Sequence, residues 1–155
     1  MTNPFPFVAN SVLTAAQLNE IGESGTAYTP TLSGWTQGNG TFTAAYLQIN
    51  KLILYRGIFV GGSGTTAASF FDISFPVPAN PFYDTYKQPL ADANYYDTST
   101  GAGYNLQGLW ISTTIRLVCL NTAGTFAQLA DLSGTSPVTY GAGDSISWSI
   151  CYEAA

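Results

Sequence analysis

The sequence predicts an all-β protein, a jelly-roll-like β-sandwich preceded by a short extended arm and helix. Three observations predict it. From Tyr28 onward, short runs rich in Val, Ile, Thr, Tyr and Phe alternate with Gly, Asn, Ser and Pro. Eight or nine such runs follow one another at the spacing of a two-sheet sandwich. The stretch "FPVPANPFYD" carries Pro76, Pro78 and Pro81, which a central strand cannot accommodate, and reads as a crossing loop.

The chain divides into an arm, residues 1–24, and a sandwich domain, residues 25–155. In the arm, Pro4 and Pro6 fix an extended path that presents Phe5 and Phe7. "VLTAAQLNEIG" follows, with Thr14 and Gln17 spaced as a capping box and Gly22 placed to end a helix. Two turns do not persist alone in water, where roughly 12–15 residues are needed, so the helix must dock. Either it folds back on its own domain or it anchors the chain to another protein. Separation from the β region by "GESG" favours an anchor made of Phe5, Phe7, Leu13, Leu18 and Ile21.

Strands are predicted in "YTPTLSGW", "GTFTAAYLQI", "KLILYRGIFV", "ASFFDISFP", "ADANYYD", "YNLQGLWIS", "TIRLVCLN", "FAQLAD" and "DSISWSICYE". Asn50, between Ile49 and Lys51, marks a tight turn or bulge because Asn tolerates a left-handed backbone. The run Lys51–Val60 has an awkward property. Alternate residues share a face, so Leu52, Leu54, Ile58 and Val60 lie with Arg56 on one side, and Ile53, Tyr55 and Phe59 on the other. Both sides are apolar, whereas a surface strand is apolar on one only. Phe70 with Phe71, and Leu109, Trp110 and Ile111, repeat the pattern. An obligate oligomer resolves it, with Ile53, Tyr55, Phe59, Phe70 and Trp110 expected at the interface between copies. A closed ring buries such patches most completely.

Composition narrows the function. Charged residues are 8% of the chain and hydrophobic residues 46%, with a formal net charge of -5. A neutral, hydrogen-bonding surface of this kind suits packing against protein. Lys51, Arg56, Lys87 and Arg116 are scattered and form no basic stripe for nucleic acid. No stretch is long and apolar enough for membrane insertion as a helix, and the first basic residue, Lys51, gives no positively charged start to a secretory signal.

Chemistry is sparse. The chain has no histidine, which removes every triad built on one, and no phosphate-cradling or metalloprotease motif. Cys119 and Cys151 sit in strands and read as small buried thiols, with a disulfide open on parity alone. Without histidine they do not suggest zinc. Asp92, Asn94 and Asp97 could offer oxygen ligands to calcium, but their spacing fits no standard loop and an ordinary polar strand end is the simpler reading. No cofactor and no catalytic residue is expected. Tyr83, Tyr86, Tyr95, Tyr96, Tyr104 and Trp110 cluster among Asp and Asn. Such rings fill cores and interfaces, or stack on sugars when exposed; Tyr83 and Tyr86 are the candidates for glycan binding.

Several stretches carry a resemblance. "YTPTLSGW", "GTFTAAYLQINKLILYRGIF", "ISFPVPA", "YDTSTG" and "PVTYGAGDSISWSICYEAA", in this order, resemble a β-rich module of tailed-bacteriophage structural proteins. It occurs in head fibres, capsid decoration proteins and minor tail proteins. "VLTAAQLNEIG" is similar to the leader that often precedes it. The pattern departs at Ala44 and Ala45, where the family often has a basic residue before the tyrosine, and at Asn50, where it often has Gly. The resemblance implies a jelly-roll-like homotrimer on the virion, assembled in the host bacterial cytoplasm, without enzymatic activity. The partners it implies are sister copies and a major capsid protein or another virion protein. The resemblance does not choose between head and tail; a short chain of one anchor and one knob, without a coiled-coil shaft, favours capsid decoration or a head fibre, attached through the N-terminal arm. The alternative is a tail fibre or minor tail protein that binds host surface glycan.

Overall fold

A computed structural model describes residues 25–82, 89–122, 124 and 127–155. Within them the fold is all-β. The predicted arm and helix, including Phe5, Phe7, Leu13, Leu18 and Ile21, lie outside the described residues, as do Tyr83 and Tyr86. The strands are β1 (Thr26–Ala27), β2 (Leu32–Ser33), β3 (Thr41–Ile49), β4 (Leu52–Val60), β5 (Phe71–Ser74), β6 (Pro89–Asp97), β7 (Ala102–Ile111), β8 (Thr114–Asn121), β9 (Gln128–Asp131) and β10 (Ser145–Glu153). β1 has no counterpart among the predicted runs.

These strands form one antiparallel sheet in the order β1-β3-β4-β10-β6-β7-β8-β5-β2, with β9 also on β8. The sheet is curled. Strands β4 and β5 stand far apart in that order, yet Phe59 and Phe71 pack with ring centroids 5.8 Å apart across the interior. One segment ties both edges together. Thr26 pairs with Tyr46 at the β3 edge, and Leu32 pairs with Ile73 at the β5 edge. Five residue steps join Ala27 to Leu32, which limits the gap between edges to about 17 Å. The Tyr28 hydroxyl reinforces the crossing, 2.7 Å from Ser74 Oγ and donating to the Phe75 carbonyl at 3.0 Å.

Tight turns set the register. The β3–β4 hairpin pairs Ile49 with Leu52 across a two-residue turn, in which Asn50 has φ 55°. The left-handed backbone expected of this asparagine is thus observed. Ser112 plays the same part between β7 and β8, also at φ 55°, and the Trp110 indole N–H donates to its carbonyl. The β6–β7 loop is organised by Asp97, whose carboxylate accepts from the backbone and hydroxyl groups of Ser99 and Thr100.

The core lies inside the curl. It contains Trp35, Ile53, Tyr55, Phe59, Phe71, Ile73, Tyr95, Leu106, Ile115, Leu117, Ile146, Trp148, Ile150 and Tyr152. Strand β10 shows how the faces were chosen. Its sequence alternates Ser145, Ser147 and Ser149 with Ile146, Trp148 and Ile150, and the apolar set is buried. Register then carries that choice to β4, where Ile150 opposes Tyr55 and Tyr152 opposes Ile53. Residues directly opposite share a face. Ile53, Tyr55 and Phe59 are therefore inward, each fully buried within the single chain. This corrects the sequence-based expectation, which placed these three on the outward face. Trp110 is likewise buried, at 1% exposure, against Phe75. Phe70 is half-buried, with the Arg116 guanidinium 4.2 Å from its ring centroid. Gly57 completes the inward face of β4, and a methyl group there would overlap the Trp148 indole.

Candidate functional site: the outer groove

The exposed apolar row of β4 is the opposite one. Leu52, Leu54, Ile58 and Val60 are 43, 40, 36 and 37% exposed, and Ile49 continues the row at 51%. Cross-strand register arranges the outer face of β3, β4, β10 and β6 into rungs. Thr43, Ile58, Ser147 and Asn94 form one; Ala45, Arg56, Ser149 and Asp92 form the next. Leu47, Leu54 and Cys151 form a third. The last two rungs line a groove of about 700 Å³, bounded by Gly25 at one side and by Leu90 and Gln107 at the other. The face is thus apolar along β4 and neutral along the serines of β10.

Two charges line the groove. Arg56 and Asp92 share a rung with Ser149 between them. Neither has an ion pair or side-chain hydrogen bond among the described residues. The other aspartates among the described residues are committed elsewhere. Asp72 holds Arg116 through both oxygens at 2.8 and 3.0 Å, and Arg116 also reaches Asp131 at 3.5 Å. Asp144 is buried and accepts from the Tyr95 hydroxyl, the Gly141 N–H at 2.7 Å, and the Thr98 N–H and hydroxyl at 3.0 Å. Burial opposes the Asp144 charge, but these hydrogen bonds outweigh it and hold the carboxyl below its ordinary pKa. Asp97 is held low by hydrogen bonds from Ser99 and Thr100. Burial, reinforced by Asp144, pushes the Tyr95 hydroxyl up. These groups are satisfied donors and acceptors that pin loops, so they add no free chemistry.

The possible calcium ligands are not brought together. Asp92 is on the exposed outer face, whereas Asp97, an odd number of residues along β6, is buried and occupied by its own loop. The Asn94 side chain donates to the Tyr104 carbonyl. Among the described residues no three acidic, thiol or imidazole side chains converge as a metal site would require. The thiols are both free. Cys119 is the buried thiol the sequence suggests, with its sulfur 3.3 Å from Ser136 Oγ. Cys151 departs from that expectation and is exposed in the groove, because it falls on the serine parity of β10. Of the clustered aromatics, Tyr95 and Trp110 fill the core, Tyr104 is half-buried, and Tyr96 is 44% exposed on the outer face opposite Ser145.

A groove of this make-up is suited to packing. It offers apolar walls, a neutral floor, one cation and one anion. Sequence reasoning found the strand but missed the groove, since β4 alone does not reveal which apolar row is inside. The signal that resolves it is the Ser/apolar alternation of β10, once that strand is known to pair with β4. No protein-family model, curated relative or solved structure matches the chain.

Proposed function

We propose that the chain is a non-enzymatic structural protein of a bacteriophage virion, a capsid decoration or head-fibre subunit. In this reading the curled sheet is a jelly-roll-like sandwich, three copies form a homotrimer, and residues 1–24 attach it to the particle. One observation carries the assembly part: the outward row Ile49, Leu52, Leu54, Ile58 and Val60 is 36 to 51% exposed on a single chain. An exposed apolar row of this kind, interrupted by Arg56, marks an interaction surface. Each such side chain, once covered, contributes on the order of 2 kcal/mol. The low charge of 8% across the whole chain favours association over free diffusion. The ordered resemblance from Tyr28 onward to phage head and tail modules supports the virion setting.

The test is sedimentation equilibrium of the full chain at micromolar concentration. A species of three times the chain mass of 16.4 kDa is expected. A compact, well-folded monomer would remove the assembly reading.

A further inference from the structure

The outer groove has a candidate occupant in the chain itself. We propose that segment 12–22 of the arm seats in the groove of its own chain, over Leu47, Leu54 and Cys151.

Four observations lead there. First, the chain enters the domain at the groove. Gly25, the first described residue, is part of its wall. Strand β1 runs antiparallel to β3, with Thr26 opposite Tyr46. Continuing backward, the chain leaves at the level of Leu47, at the end of the groove where Leu54 and Cys151 lie.

Second, the reach is sufficient. Strands in a sheet are about 4.8 Å apart, so β4, which carries Leu54 and Arg56 in the middle of the groove, is about 10 Å from β1, where the chain enters. Residues 22–24 span up to about 10 Å when extended. Two helical turns are about 12 Å long and 10 Å wide, so one side of such a helix fits the roughly 700 Å³ of the groove.

Third, the apolar chemistry matches. Leu18 and Ile21 are three apart and share a helical face. Leu13 precedes the Thr14 cap and Leu18 is four beyond it, the spacing of a hydrophobic staple that would fix the entry of the segment. The groove offers Leu47 and Leu54 as counterparts.

Fourth, the charges are complementary. Glu20 and Glu23 are the only ionisable side chains in residues 1–24. Among the described residues, Lys51 and Arg56 are the basic residues without an ion pair, since Arg116 is held by Asp72. Arg56 is in the groove and Lys51 is in the turn at its open end. Asp92, on the far side of Ser149, repels an acidic segment and so confines it to the Arg56 side.

Seating residues 12–22 takes Leu13, Leu18 and Ile21 out of the proposed particle anchor, narrowing it to Phe5 and Phe7, and leaves Ile58, Val60 and Tyr96 for sister copies. The inference does not depend on the virion or the trimer.

Cys151 reports on the groove directly. The full chain is labelled with a neutral maleimide, the buried Cys119 serving as the slow internal reference. The Cys151 rate is expected to rise about tenfold in Leu18→Asp/Ile21→Asp, a ratio equivalent to about 1.4 kcal/mol of docking, with near-ultraviolet dichroism unchanged. Arg56→Glu should also speed labelling, and adding Glu20→Lys/Glu23→Lys should restore protection. Equal rates in the parent and Leu18→Asp/Ile21→Asp overturn the proposal. Protection that strengthens with protein concentration also overturns it, because a second copy would then be the cover. A monomer with concentration-independent protection would sustain this inference while removing the trimer.

Discussion

The two faces of β4 are both largely apolar and have opposite fates. Ile53, Tyr55 and Phe59 are fully buried, while Leu52, Leu54, Ile58 and Val60 are more than a third exposed. The inward side meets Trp148, Ile150 and Tyr152 from β10 and, across the curl, Tyr28 and Phe71. The outward side meets Ser145, Ser147, Ser149, Cys151 and Glu153 of β10 and Thr41, Thr43, Ala45, Leu47 and Ile49 of β3. Hydrophobicity thus does not by itself choose the core. Position relative to the other strands does, and the second apolar face is left exposed on the single chain. In the proposed reading one strand serves both stability and association.

Mutations should separate these roles. The largest loss is expected from Phe59→Ala, which removes a ring packed on Phe42 and Phe71; about 3–5 kcal/mol should appear as a lower urea midpoint. Its neighbour Ile58→Ala should cost less than about 1 kcal/mol in the same assay. Equal losses at the two positions would contradict the assignment of faces.

Asp144→Ala should follow. It strands the Tyr95 hydroxyl and the Gly141 and Thr98 donors, for about 3 kcal/mol. Acid should show the same contact. Asp144 and Asp97 both have lowered pKa values in the fold. Their contribution is complete above the ordinary carboxylate pKa of about 3.9, and is lost as pH falls through the lower folded values. Unfolding midpoints measured from pH 6 down to pH 2 should therefore fall most steeply below about pH 4, and less steeply in Asp144→Asn.

Gly57→Ala sharpens the comparison from within the strand. The added methyl overlaps Trp148 and Ala44, so overpacking of about 1–3 kcal/mol is expected. The smallest stability effect belongs to Leu54→Ser, within about 0.5 kcal/mol for an exposed position. That variant should instead raise Cys151 labelling, since Leu54 and Cys151 share a rung. A large stability loss with unchanged labelling would place Leu54 in the core.

Much of the fold could be read from residues. All nine predicted runs contain a strand, and the Asn50 turn has the left-handed backbone its side chain permits. These are local properties, set by β-branched and aromatic runs and by turn chemistry. The groove was not legible. It requires β3, β4, β10 and β6 side by side, and β10 follows β6 and β4 by long stretches of chain. Cys151 illustrates the limit. Its type suggests burial, but its parity in β10 puts it with Ser149 on the outside.

The amino-acid sequence by itself determined that this chain is β-rich, where its turns fall, and that β4 would be apolar on both sides, because these depend on neighbours along the chain. Tertiary structure alone decided which side is core, how the sheet curls until Phe59 reaches Phe71, and where Arg56 and Asp92 come to share a rung. Those outcomes depend on pairing register, and a shift of one residue would exchange the two faces of every strand it touched.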